Sequence, residues 1–351
     1  MTFRMTLLGG AVLLTAACAS VDPNADYPTV KPFAETEAVG SSGDAADDPA
    51  IWVHPSDKTK SLVLGTDKQA GLYVYDLSGS VLQFIPSGRL NNVDLRQGVS
   101  FFPEQSIDIA AATNRTIDGV TLFSISADDG VEEIGDFPVA SVEPYGLCTG
   151  YDESGFRVFV TYKTGAIEIY EVLPGKDGME GELMNTIKLD SQLEGCSYDE
   201  VQNVLFVGEE EFGLWRLDLD GNEEFVRTLV DQVGSTTGLV SDVEGVDIWR
   251  GPADTGYVVA SAQGGDRYVI YERSTPNRWV GTFTVSGIED TPLDGVSHTD
   301  GLTVSSAALG NSLSRGLLVV QDDANGDNGE TQNFKFVSWA EIERVFGAGG
   351  Q

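Results

Sequence analysis

Positive charge is scarce in this chain: 21 Lys and Arg stand against 55 Asp and Glu, a formal net charge of −34 over 351 residues. So acidic a surface repels phosphate backbones and anionic headgroups, which argues against a nucleic-acid partner. Histidine is nearly absent, with 2 residues. Neither lies in an Arg-His-Gly nucleophile loop, so a histidine-acid phosphatase is not expected, and His54 before Pro55 reads as structural. Cysteine numbers 3, and neither Cys148 nor Cys196 opens the Cys-x5-Arg loop of a cysteine phosphatase. Methionine falls to 4 while glycine reaches 41, a balance of tight turns rather than helical bundles. After the N-terminus no apolar run approaches the roughly 20 residues of a membrane-spanning helix.

What the chain does have begins with an export signal. Arg4 precedes the apolar run Leu7–Ala17, which ends in small residues before Cys18. Thr15-Ala16-Ala17-Cys18 resembles a bacterial lipoprotein signal, with Thr15 in place of the more usual Leu. The expected layout is a signal peptide over 1–17, a linker over 18–30 and one domain over 31–351. The mature protein is expected outside the cytoplasm, either tethered through a lipidated Cys18 in the periplasm or outer membrane, or secreted. In such an oxidising compartment Cys148 and Cys196 either form a disulfide or remain two buried thiols.

A unit of about fifty residues then recurs six times. Its openings are Asp48-Pro49-Ala50-Ile51, Asn92-Val93-Asp94-Leu95, Tyr145-Gly146-Leu147, Glu194-Gly195-Cys196, Glu244-Gly245-Val246 and Asp300-Gly301-Leu302. Each is followed by two short β-rich runs, such as Leu62–Leu64 and Leu72–Tyr75, and most by a further segment such as Val81–Ile85. This pattern predicts an all-β, six-bladed β-propeller. The last unit lacks an outer strand, since Ala340–Phe346 reads as helical, and the orphan segment Pro32–Val39 is expected to complete the sixth blade. Closure in this way leaves no open sheet edge.

In an up-and-down blade, the start of the inner strand and the end of the second strand share one rim. Polar residues converge there from every unit: Asp47, Asp48, Asn91, Asn92, Tyr145, Glu194, Glu244 and Asp300 at the starts, and Lys68, Arg115, Lys163, Glu209, Glu210, Gln263 and Asp322 at the ends. Lys68, Arg115 and Lys163 predict a cationic edge for phosphate oxygens. Facing it, Glu194, Glu209, Glu210 and Glu244 predict an acidic edge that holds hard cations such as Ca2+. A ligand bridging both edges is a multiply phosphorylated small molecule, and water is the expected nucleophile. Asp323-x-Asn325-x-Asp327 starts like an EF-hand loop but has Asn328 in the glycine position, and reads as an acidic turn.

The run Gly43–Pro55 resembles the opening of the β-propeller (alkaline-type) phytases. The resemblance continues through Gly65-Thr66-Asp67-Lys68, Asn91–Arg96, Ala112-Thr113-Asn114-Arg115, Tyr145-Gly146, Glu194-Gly195, Glu209-Glu210, Asp242–Gly245, Thr299-Asp300-Gly301 and Gln332–Lys335. It implies a calcium-dependent monomeric hydrolase of phytate and related inositol phosphates, with water attacking phosphorus between several calcium ions. By motif it implies Lys68, Arg115, Tyr145, Lys163 and Asp300 as the phosphate-contacting or catalytic group. Glu35, Asp48, Glu194, Glu209, Asp242, Glu244 and Asp294 would be calcium ligands, with Gln263 and Asp322 also drawn in. Thr164, where Bacillus-type members carry an acid, and His298 depart from the pattern. Two other readings remain at this point: a propeller-type metal-dependent lactonase or ester hydrolase, and a non-catalytic surface binding module.

Overall fold

A computed structural model describes residues 26–102, 105–176, 178–219, 225–325 and 331–347. The segment expected to be an export signal and Cys18 lie outside these residues, as do Asp327 and Asn328. Six antiparallel sheets form the blades of a propeller. Their inner strands are Ala46–Trp52, Leu90–Phe102, Leu147–Asp152, Leu193–Asp199, Val246–Arg250 and Leu302–Ser305. Position within the ring sets the burial. Every residue of Ala46–Trp52 and Leu193–Asp199 is buried, whereas the outer strand Val81–Ile85 alternates between half-buried and exposed. Between blades the faces interlock: Trp52, Leu64 and Leu72 of blade one pack with Ala110, Phe123 and Ile125 of blade two.

The ring closes as the repeat predicts. Ala34–Glu35 pairs antiparallel with Thr331–Ser338, Ala34 opposite Phe336 and Glu35 opposite Lys335, and so supplies the fourth strand of blade six. Gly79 (φ +89°) makes room for this segment, because a Cβ there would overlap the carbonyl of Glu35. The helix Trp339–Phe346 follows, with Trp339 stacked on Trp249 at 5.3 Å between centroids. One contact has no counterpart in the repeat pattern: Thr29–Val30 adds a parallel fifth strand to blade five, beside Trp279–Val285. His54 is structural, its Nδ1 accepting the Asp57 N–H at 3.0 Å.

Inner strands are also joined to one another. Asp48 Oδ2 accepts the Val93 N–H at 3.0 Å, Asp94 Oδ2 the Thr149 N–H at 2.8 Å, and Asp247 Oδ2 the Val304 N–H at 2.7 Å. A disulfide between Cys148 and Cys196 ties blade three to blade four, with the Cα atoms 5.5 Å apart. It resolves the alternative that the sequence left open.

Candidate active site

The starts of the inner strands and the ends of the second strands meet at one mouth of the channel, and there the acids crowd. Carboxylate oxygens of Glu194, Glu210 and Glu244, all buried, lie within 4.8 Å of one another. Burial pushes each of these carboxyls up, and repulsion adds to it: Glu194 feels Asp47 and Asp300, and Glu244, raised to about 12, feels Glu194 most. Asn91 bridges the group, its Nδ2 donating to Asp47 Oδ2 at 2.8 Å and to Glu194 Oε1 at 3.0 Å. The other oxygen, Glu194 Oε2, is buried and has no hydrogen-bond partner among the described residues. Three converging carboxylates with an orphaned buried oxygen form a hard-oxygen donor set, which suits a divalent cation of the calcium kind.

Lys68 lies differently from the sequence expectation of an open cationic edge. Its Nζ is paired with Asp44 at 2.5 Å, Asp300 at 2.8 Å and Asp47 at 3.0 Å. Burial pulls the ammonium down, but Asp47 and Asp300 outweigh it and hold the charge firmly. Asp300 is pushed up by burial, against the pull of Lys68, to about 7. Its Oδ1 accepts from Gln263 Nε2, so Gln263 closes the group by hydrogen bonding to a carboxylate.

Arg115 and Lys163 are the cations left for a ligand. Neither makes an ion pair among the described residues. Arg115 Nε is buried without a partner, and Lys163 Nζ stands 4.2 Å over the ring of Tyr145. Burial raises the Tyr145 hydroxyl above its ordinary value, as do Glu194, Glu244, Asp47 and Glu210, so the phenol keeps its proton. Lys163 and Tyr145 therefore border the acidic group, Glu210 feeling the Lys163 charge and Tyr145 the charges of Glu194 and Glu244.

Two parts of the expected ligand set are placed elsewhere. Glu209 is committed to its own blade: Oε1 accepts the Ser191 N–H and hydroxyl, each at 2.7 Å, and Oε2 the Trp215 indole N–H at 2.7 Å. Glu210, its neighbour in the turn, joins the triad instead. Glu35 of the outer strand, Asp322 of the second strand and Asp294 of the loop before blade six gather around the buried ammonium of Lys335. Asp242 adjoins the triad through Glu210, whose carbonyl accepts the Val243 N–H at 3.2 Å. Asp48 is buried in the channel, with its carboxyl raised by burial and by Asp47. Sequence reasoning missed Asp44 as a site residue, although this exposed residue lies in the run Gly43–Pro55.

Comparison with known proteins follows this geometry. A family model described as Phytase matches residues 3–350. A curated 3-phytase from Bacillus subtilis (strain 168) is 38% identical over 327 residues, covering 89% of this chain and 84% of that protein. Among solved structures, the β-propeller domain of Myceliophteria thermophila Cps50 (Swd1) is similar at 12% identity, over 82% of this chain and 83% of that one, with a TM-score of 0.44.

Proposed function

This chain belongs to the Phytase family and is a phytate-hydrolysing enzyme, and from that premise we propose a calcium-dependent hydrolysis at the rim that joins Arg115 and Lys163 to Glu194, Glu210 and Glu244. The observation that carries the reading is that Arg115 and Lys163 make no ion pair among the described residues while the same propeller holds a buried acidic triad, whose Glu210 feels the Lys163 charge. In so acidic a chain, cations without a carboxylate partner suit a more strongly anionic ligand.

Arg115 and Lys163 bind oxygens of the phosphoryl group, the guanidinium by paired hydrogen bonds and the ammonium as a point charge. The Tyr145 hydroxyl donates to the same group. Lys68 keeps Asp44, Asp47 and Asp300 in place, while Glu194, Glu210 and Glu244, with Asp242 and Asp48 nearby in the fold, would hold the cation. Calcium, when bound, neutralises these carboxylates together with the phosphate oxygens they face. Water attacks phosphorus, the bond from phosphorus to the inositol oxygen breaks, and that oxygen leaves with a proton. Stabilising the charge on the transferring group is the main contribution of Arg115 and Lys163.

The test is phosphate release from phytate by the full chain, with calcium supplied and then chelated. Release that stops on chelation and returns with calcium is expected; equal release in both conditions rejects the calcium dependence. Arg115→Ala should lower kcat/KM at least about tenfold with little change in melting temperature, because no ion pair is lost. The proposal extends to an extracytoplasmic enzyme tethered through Cys18. The Cys148–Cys196 bridge supports the compartment, and the mass of the mature N-terminus tests the tether.

A further inference from the structure

Three residues of the mouth sit at breaks or ends of the regular ladder, where Tyr145 keeps one backbone bond, its N–H donating to the Thr161 carbonyl at 3.1 Å. Tyr145 and Asp300 precede their inner strands, and in blade four the register jumps from Leu193 to Cys196, passing over Glu194. Their backbone carbonyls are held by side chains from the preceding blade. Thr113 Oγ1 donates to Tyr145 O at 2.7 Å, Thr161 Oγ1 to Glu194 O at 2.6 Å, and Ser261 Oγ to Asp300 O at 3.0 Å. All three hydroxyl residues are fully buried.

The surroundings explain why a hydroxyl is needed. Each supported residue is followed by glycine, and the blades meet there backbone to backbone. A Cβ on Gly146 would overlap the Glu194 carbonyl, and one on Gly301 would overlap Asp48. A carbonyl so enclosed needs a donor from within the protein. Two of the hydroxyls also grip their own blade: the Asn92 N–H donates to Thr113 Oγ1 at 3.1 Å and the Gly245 N–H to Ser261 Oγ at 2.8 Å. Each of those two oxygens thus links the strand starts of adjacent blades. Thr113, Thr161 and Ser261 stand at the ends of second strands, each two positions before a rim residue, Arg115, Lys163 and Gln263, that lies just past the strand. One strand end therefore sets both its own rim side chain and the backbone of the next blade's site residue.

From this we infer that Thr113, Thr161 and Ser261 are positioning residues of the reaction, setting the separation between Tyr145, Glu194 and Asp300 without touching substrate. The activity readout rests on the phytase reading, so the test carries a second readout that does not. Thr161→Val removes the donor at nearly constant shape, and Thr161→Ser keeps it. With calcium present, T161V is expected to lower kcat for phytate ten- to hundredfold with KM changed less than about threefold, since misplacement on the order of 1 Å costs about that much. T161S should return to within about threefold of the parent. Hydrogen–deuterium exchange of the peptide containing Glu194–Cys196 should quicken in T161V and not in T161S.

Parental kcat in T161V overturns the inference, as does unchanged exchange. If the parent chain itself releases no phosphate, the phytase reading fails, and the exchange comparison alone then decides whether Thr161 holds Glu194. Should T161V not fold, Ser261→Ala poses the same question at Asp300. Failure of both to fold makes the hydroxyls purely structural and overturns the inference.

Discussion

Lys68 Nζ lies 2.8 Å from Asp300 Oδ2, although the two residues are 232 positions apart in the chain. One comes from the first blade and the other from the sixth, so the contact spans the seam where the propeller closes. It is one of three carboxylate contacts on a largely buried ammonium. Removing the cation leaves Asp47 and Asp300 close together with nothing between them, and breaking such a pair costs about 3–5 kcal/mol. Lys68→Met is therefore expected to lose both stability and turnover, the latter by at least about a hundredfold. Urea unfolding and phosphate-release kinetics on one preparation check it; loss of turnover at parental stability would show that Lys68 does not secure the seam.

Stability should also depend on pH in a direction opposite to that of most acidic surfaces. In the folded protein, burial and mutual repulsion hold Asp48 and Glu194 well above their ordinary values, Glu244 up to about 12 and Asp300 up to about 7. Between about pH 4.5 and these raised values the folded state keeps protons that the unfolded chain has released, so stability falls as pH rises. Without metal, the melting temperature should drop from pH 5 to pH 9, by about 2 °C per pH unit for each carboxyl that stays protonated on folding. Calcium competes with those protons, so its stabilising effect should grow over the same range and its binding weaken toward acid. Thermal melts in chelator and in calcium across this window measure both; a melting temperature that climbs with pH in chelator contradicts the assignment.

Why the ring was legible in the sequence and parts of the site were not comes down to range. The openings Tyr145-Gly146, Glu194-Gly195, Glu244-Gly245 and Asp300-Gly301 recur because blades three to six repeat the same local problem: a polar side chain at the rim and no Cβ where the next blade passes. Pro32–Val39 was recognisable as a strand in search of a sheet, and blade six supplied one. Thr29–Val30 is too short to show any period. The repeat put Lys68, Asp47 and Asp300 on one rim but not in contact, because their pairing depends on how the ring closes, and Asp44 lies in an irregular segment. Choosing between Glu209 and Glu210 needed the strand register, since a shift of one residue reverses which side chain faces the mouth.

That choice has its own consequence. Glu209 ends the strand Val204–Glu209 and turns back onto Ser191 and Trp215, whereas Glu210 enters the turn and joins Glu194 and Glu244. Glu210→Gln should weaken calcium activation about tenfold or more and leave the melting temperature in chelator unchanged or higher, because a repelling charge is gone. Glu209→Gln should do the reverse, costing about 1–3 kcal/mol through a buried donor left poorly matched, with the calcium midpoint little changed. Calcium titrations of activity together with melting curves separate the two. A calcium midpoint that shifts with Glu209 and not with Glu210 would reverse their roles.

The disulfide divides the work with the hydroxyl network in a way that can be measured. Cys148 stands three residues after Tyr145 and Cys196 two after Glu194, so the bridge and the Thr161 hydroxyl both join blades three and four. The bridge closes a sequence separation of 48 residues, for which loop entropy in the unfolded chain corresponds to about 4 kcal/mol. Its contribution lies mainly in the unfolded state, whereas the Thr161 bond acts on the folded geometry at Glu194. Cys148→Ala with Cys196→Ala is accordingly expected to lower the melting temperature by about 6 °C, while kcat for phytate well below the melting range stays within about twofold. Thr161→Val should show the opposite balance. If the double cysteine variant instead loses turnover at an unchanged melting temperature, the bridge itself sets the distance between Tyr145 and Glu194, and the hydroxyl is secondary to it.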